Sequence, residues 1–132
     1  MARITATFSI WSKVLRPERI SEALSAAPDQ FVLRGADRTP PRPVPDGYGW
    51  HIGCRDLEEG MVENTVTKLL ARICDFSSNL SKLRQLDPNV DVKLLVGITP
   101  YEDDIVLFFS PTTIANIAST GASFSIDFFD LT

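Results

Sequence analysis

No apolar run in this chain approaches the roughly 20 residues needed to cross a bilayer. The longest, such as Leu94-Leu95-Val96 and Ile105 to Phe109, stop after a few positions. The opening residues, Met1-Ala2-Arg3-Ile4-Thr5-Ala6-Thr7, alternate polar with apolar where a secretory signal needs a continuous apolar core. A soluble, cytoplasmic protein is therefore expected. Cysteine is scarce. Cys54 and Cys74 lie far apart in a chain without an export signal, so buried free thiols are expected rather than a bridge. Histidine is scarcer still, with His51 alone. A Ser-His-Asp triad would have to be built around it, and the sequence holds no nucleophile elbow. Zinc would have to draw on His51, Cys54 and Cys74, yet residues three apart in a strand point to opposite faces. Neither a metal nor a cofactor is expected.

Basic residues are missing from the last part of the chain. All 13 fall at or before Lys93, and the only charges after it are Glu102, Asp103, Asp104, Asp127 and Asp130. The net charge of −4 is thus concentrated at one end. Nucleic-acid binders carry the opposite signature, a cluster of Lys and Arg, so that class is set aside. A basic protein partner fits the distribution. A phosphate-binding glycine loop is also lacking. Gly47-Tyr48-Gly49-Trp50-His51-Ile52-Gly53 comes near one, but its last glycine is one residue late and no helix follows to present backbone donors. These glycines read as turn and strand residues.

What is present is ordinary globular composition, 44% apolar and 23% charged, which excludes disordered and collagen-like classes. With 132 residues, one domain over the whole chain, 1–132, is expected. Ile4, Ala6, Phe8 and Ile10 alternate with Arg3, Thr5, Thr7 and Ser9, a half-buried strand. Pro17 and the spacing of Ile20, Ala23, Leu24 and Ala27 predict a helix from about Arg16 to Ala26, ended by Pro28. Gln30 to Arg34 and Tyr48 to Arg55 read as strands, joined by a proline-rich exposed loop from Gly35 to Gly47. Leu57 to Leu86 reads as the longest helical stretch, with Val62, Val66, Leu69, Ile73, Phe76, Leu80 and Leu83 as its apolar stripe. A break is expected at Phe76-Ser77-Ser78-Asn79, where residues favour caps over helix interiors. Val90 to Ile98 alternates as a strand, and Ile105 to Phe109 reads as another. A helix capped by Ser110-Pro111 and closed by Gly121 leads to a last strand from Ser123 to Phe129.

The order β-α-β-β-α(α)-β-β-α-β predicts an α+β two-layer sandwich. Its mixed or mostly antiparallel sheet of about six strands would carry helices on one face, with ferredoxin-like character. The other face would be solvated by Thr5, Thr7, Ser9, Asp91, Lys93, Ser125 and Asp127. Trp11, Leu95 and Phe129 share that register and would add an apolar patch to it.

Several of these segments, in this order, match a known pattern: the alternating first strand, Phe31 to Gly35 with a polar loop after it, and Trp50 in the third strand. Phe109-Ser110-Pro111, Ile117-Ala118 and Gly121 to Asp127 complete it. Over nearly its whole length the chain resembles the bacterial family called domain of unknown function 4279. The resemblance implies an uncharacterised α+β domain, some members of which are regarded as immunity proteins of bacterial toxin systems. It supplies no catalytic residues.

The leading functional expectation is a small, non-enzymatic, protein-binding module, an immunity-type protein that neutralises a partner by occupying its surface. Glu102, Asp103, Asp104 and Asp127 are the residues expected to meet a basic partner. The alternative is a small-ligand or enzymatic domain with its site on the sheet face near Trp50, His51 and Arg34. There Arg34, Arg38 and Arg42, around the proline loop, would receive an anion or a carboxylate. Trp50 reads either as a core anchor or as an exposed recognition residue. A homodimer built through the open face or an edge strand is the third reading.

Overall fold

Residues 2–58, 61–99 and 106–129 are described by a computed structural model. The alternation at the start of the chain builds the central strand, β1 (Ala2–Ser12). Helix α1 (Pro17–Leu24) follows, starting on its proline and ending at Ser25 in the left-handed region, φ 54°. Two strands, β2 (Gln30–Val32) and β3 (Tyr48–Glu58), flank the proline loop. The helical stripe becomes α2 (Val62–Ile73), a 3₁₀ turn (Cys74–Phe76) and α3 (Ser77–Leu86). The break therefore starts two residues ahead of the expected run Phe76 to Asn79 and overlaps it at Phe76. Leu57, expected to open the helical stretch, lies in β3 because that strand continues to Glu58. The chain closes with β4 (Asp91–Thr99), α4 (Pro111–Ser119) and β5 (Ser123–Phe128).

The sheet is mixed, in the order β2-β3-β1-β4-β5. All neighbours are antiparallel except β4 and β5. Two split crossovers generate it. β1-α1-β2 straddles β3, and β3-α2-α3-β4 straddles β1, which is the ferredoxin-like arrangement. The unit β4-α4-β5 then adds a parallel strand at one edge. It occupies the place where the apolar run before Ser110 was expected to supply a strand too. Within the described part of that run, only Val106 forms a bridge, parallel to Met61. The physical reason lies beside it: the Ser110 N–H donates to the Glu63 carboxylate in the first turn of α2, so the segment is moored to a helix rather than to a strand edge.

One face of the sheet and the helices share a single core. Ile4, Ala6, Phe8 and Ile10 of β1 and Val92, Leu94, Val96 and Ile98 of β4 are buried against the whole predicted stripe, Val62 to Leu83. Trp50 is the largest wholly buried side chain. Its Nε1–H donates to Ser21 Oγ at 2.9 Å, and its ring meets Phe76 edge-on at 6.1 Å. The core-anchor reading of this residue is therefore the one the fold realises. No helix among the described residues is long and apolar enough to cross a membrane.

Candidate functional site

The face of the sheet away from the helices is organised by an aromatic ring lying across a glycine. Trp11 and Gly49 are register partners on β1 and β3. A Cβ at Gly49 would stand 2.9 Å from Trp11 Cη2 and Cζ3, so the absent side chain is what lets the indole lie flat over β3. His51, two residues along, meets the indole edge-on with ring centroids 5.1 Å apart. Its Nδ1 shares a hydrogen bond with Ser9 Oγ at 2.9 Å, which leaves Ser9 only 2% exposed. Burial pushes the His51 imidazole below its ordinary pKa, favouring the neutral ring. A similar device recurs at the other end of this face, where the Phe129 ring lies over Gly97.

Cavities flank the Trp11–His51 pair. On the His51 side a hollow of about 250 Å³ is lined by Thr5, Thr7, Asp29, Gln30, His51 and Gly53. Its rim is set by an ion pair. β2 is too short to pair with Gly53, so Asp29 Oδ2 accepts from the Gly53 N–H at 2.9 Å, and Arg72 Nη1 donates to the Gly53 carbonyl at 2.7 Å. Arg72 also grips the Asp29 carboxylate through both oxygens, at 2.8 and 3.0 Å. The hydrogen bonds from Arg72 and the Gly53 N–H lower the Asp29 carboxyl from 3.8 to about 2. Together these side chains satisfy a strand edge that would otherwise stand open.

On the other side of Trp11 lies the proline loop. Its neck is tied by the Gly35 N–H donating to the Pro45 carbonyl at 2.9 Å, with Gly35 at φ 77°. Arg34 Nη1 donates to the Lys13 carbonyl at 2.8 Å and fastens the loop to the end of β1. Between loop and sheet is a cavity of about 550 Å³, lined by Trp11, Val32, Arg38, Arg42, Asp46 and the Pro43–Pro45 segment.

The residues singled out from sequence are dispersed by this geometry. Arg38 lines the cavity at Trp11 and the proline loop, whereas His51 lines a different hollow with Asp29 and Gly53. Arg34 is engaged with backbone at the neck of the loop. Trp50 has to be withdrawn from any surface site: strand alternation turns it to the helix side of the sheet, and its ring is 0% exposed. Asp127 is exposed on β5, opposite Gly97, with β1 and β4 between it and β3. Glu102, Asp103 and Asp104 lie outside the described residues. Cys54 and Cys74 are both free, but Cys54 is half-buried and Cys74 is exposed on the 3₁₀ turn. No cluster of metal-ligating side chains occurs among the described residues.

Trp11, Val32 and Asp46 were not among those site residues. Trp11 did leave a signal, an aromatic out of phase with the apolar face of its strand. Asp46 left none, because its place beside the arginines depends on how the proline loop folds back.

From residue 2 to 131 the chain matches the family described as Domain of unknown function (DUF4279). No curated protein and no solved structure matches it. The matched span takes in every element of the sheet and helices, so the chain belongs to the DUF4279 family.

Proposed function

We propose that this chain is a small, non-enzymatic, protein-binding module of the immunity type found in bacterial toxin systems. The observation that carries the reading is the β5 end of the molecule. Phe128 and Phe129 are 56% and 55% exposed there, directly after Asp127, in a stretch without a basic residue. Large aromatics at the surface supply contact area, and the Asp127 carboxylate next to them in the strand favours a basic partner and speeds its approach. Among the described residues β5 is also an edge strand, with no further strand paired on its outer side. A partner docked on this end would be neutralised by having its own surface covered, without chemistry.

The test is affinity capture of the tagged chain from its native cells, wild type beside an Asp127→Lys/Phe129→Ser variant. A single basic protein is expected to be recovered repeatedly with the wild type and lost with the variant. Recovery of no specific partner, or equal recovery by both forms, would count against the reading.

A further inference from the structure

We propose that the cavity between Trp11 and the proline loop is a binding site for a small monocarboxylic acid with a flat apolar body. This site lies at the β2–β3 side of the sheet, away from β5, and does not depend on the protein-binding reading.

The charges are the first reason. Arg16 and Arg19 pair with Glu18 and Glu22, Arg72 with Asp29, and Arg34 and Arg84 bond to the carbonyls of Lys13 and Thr120. Arg38 and Arg42 have no such partner among the described residues, and both line this one cavity. A guanidinium that is partly withdrawn from water without a counter-charge is most readily satisfied by a planar oxyanion, which its fork of N–H donors fits. Arg38 is in that position, half-buried in the loop.

Charge also sets how many negative groups the ligand carries. Asp46 lines the same space, so the lining holds two guanidinium groups, half-buried Arg38 and exposed Arg42, and one exposed carboxylate, and is formally short of a single negative charge. A monoanion balances it. A phosphate monoester, nearly dianionic at neutral pH, would be opposed by Asp46.

The walls define the rest of the ligand. Trp11 and Val32 contribute apolar surface from the sheet, and Pro43 and Pro45 contribute it from the loop. Proline has no backbone N–H, so these wall residues compete little with the arginines for the anion. An indole held flat offers a face on which another ring stacks. It is held: Gly49 leaves room beneath it and His51 abuts its edge. The volume, about 550 Å³, falls in the range of small-molecule sites, and the loop is pinned at its neck by the Gly35–Pro45 bond and by Arg34.

Phenylacetate is a suitable probe, with phenylacetamide as its neutral counterpart and phenyl phosphate as the more highly charged one. Titration into the isotopically labelled full chain is followed by NMR at the Trp11 indole N–H and the Arg38 and Arg42 Nε–H signals. Phenylacetate is expected to shift these three signals saturably and to bind about tenfold or more tightly than phenylacetamide, the loss that follows from removing a charge-assisted hydrogen bond. Arg38→Gln/Arg42→Gln should unfold at the wild-type denaturant concentration and no longer distinguish acid from amide. Asp46→Asn should narrow the preference for phenylacetate over phenyl phosphate. Equal binding of acid and amide by the wild type, no saturable shift at Trp11, or unchanged discrimination in the arginine variant would each overturn the proposal.

Discussion

A methyl group added at position 49 would meet His51 Nε2 at 2.8 Å and the Trp11 ring at 2.9 Å. Neither neighbour yields easily, since one ring abuts the other and His51 is tied to Ser9. Gly49→Ala is therefore expected to destabilise the protein by about 1–3 kcal/mol, the usual range for overpacking a filled site. Urea unfolding measures it. In a Trp11→Ala background the same substitution should cost clearly less, because the ring it strikes is gone; equal costs in both backgrounds would show that the indole does not lie where it is described. Trp50 illustrates the opposite kind of residue. Its weight is in the core, where its single polar atom is satisfied by Ser21. Alternation along β3 is enough to separate it from His51, although the two are neighbours in sequence. Reading them as one surface site failed for that reason, whereas Arg38, distant in sequence, comes to line the same cavity as Trp11, the ring that His51 meets.

At the scale of elements, the Asp29–Arg72 pair decides how β3 is finished at its outer edge. Its pH dependence follows from the lowered carboxyl. Asp29 titrates near 2 in the folded protein against an ordinary 3.8, so its contribution to stability is fully present above about pH 4 and is lost as the pH falls through 2. Both side chains are more than a third exposed, and solvent screening limits the effect to about 1 kcal/mol or less. Denaturant midpoints measured from pH 5 to 2 should fall through this window in the wild type. Asp29→Asn should show a shallower fall there and a lower midpoint at neutral pH; parallel curves would remove the pair from the account.

The same scale shows where periodicity misleads. Ile105 to Phe109 has the composition of a buried strand, but composition cannot distinguish a strand from the irregular segment that its described part, 106–109, forms before the Ser110–Glu63 hydrogen bond. The helix stripe had no such ambiguity. Each of its seven positions from Val62 to Leu83 is buried, and what shifted was the start of the stretch, from Leu57 to Val62, and the break between α2 and α3.

For the whole molecule, one core joins the sheet and helices on a single side, with Trp50 inside it. Unfolding should accordingly be one cooperative transition. Tryptophan fluorescence and far-UV circular dichroism are expected to give coincident denaturation curves; a separated second transition would mean that the β4-α4-β5 unit melts by itself.

The ferredoxin-like order of elements was legible in the sequence because hydrophobic alternation and capping residues act over a few positions. Helices separate the strands that become parallel, and a loop joins the hairpin pair. The acidic character of the C-terminal end was equally a property of sequence alone. The site was not. Trp11 over Gly49, the proline-loop arginines brought to the cavity beside Trp11 and the Asp29–Arg72 rim each join residues from different strands, loops or helices. Those juxtapositions exist only after the strands have taken their register and the loop has closed. Local pattern thus determined which residues could be strand, helix or surface, and tertiary structure alone decided which of them meet.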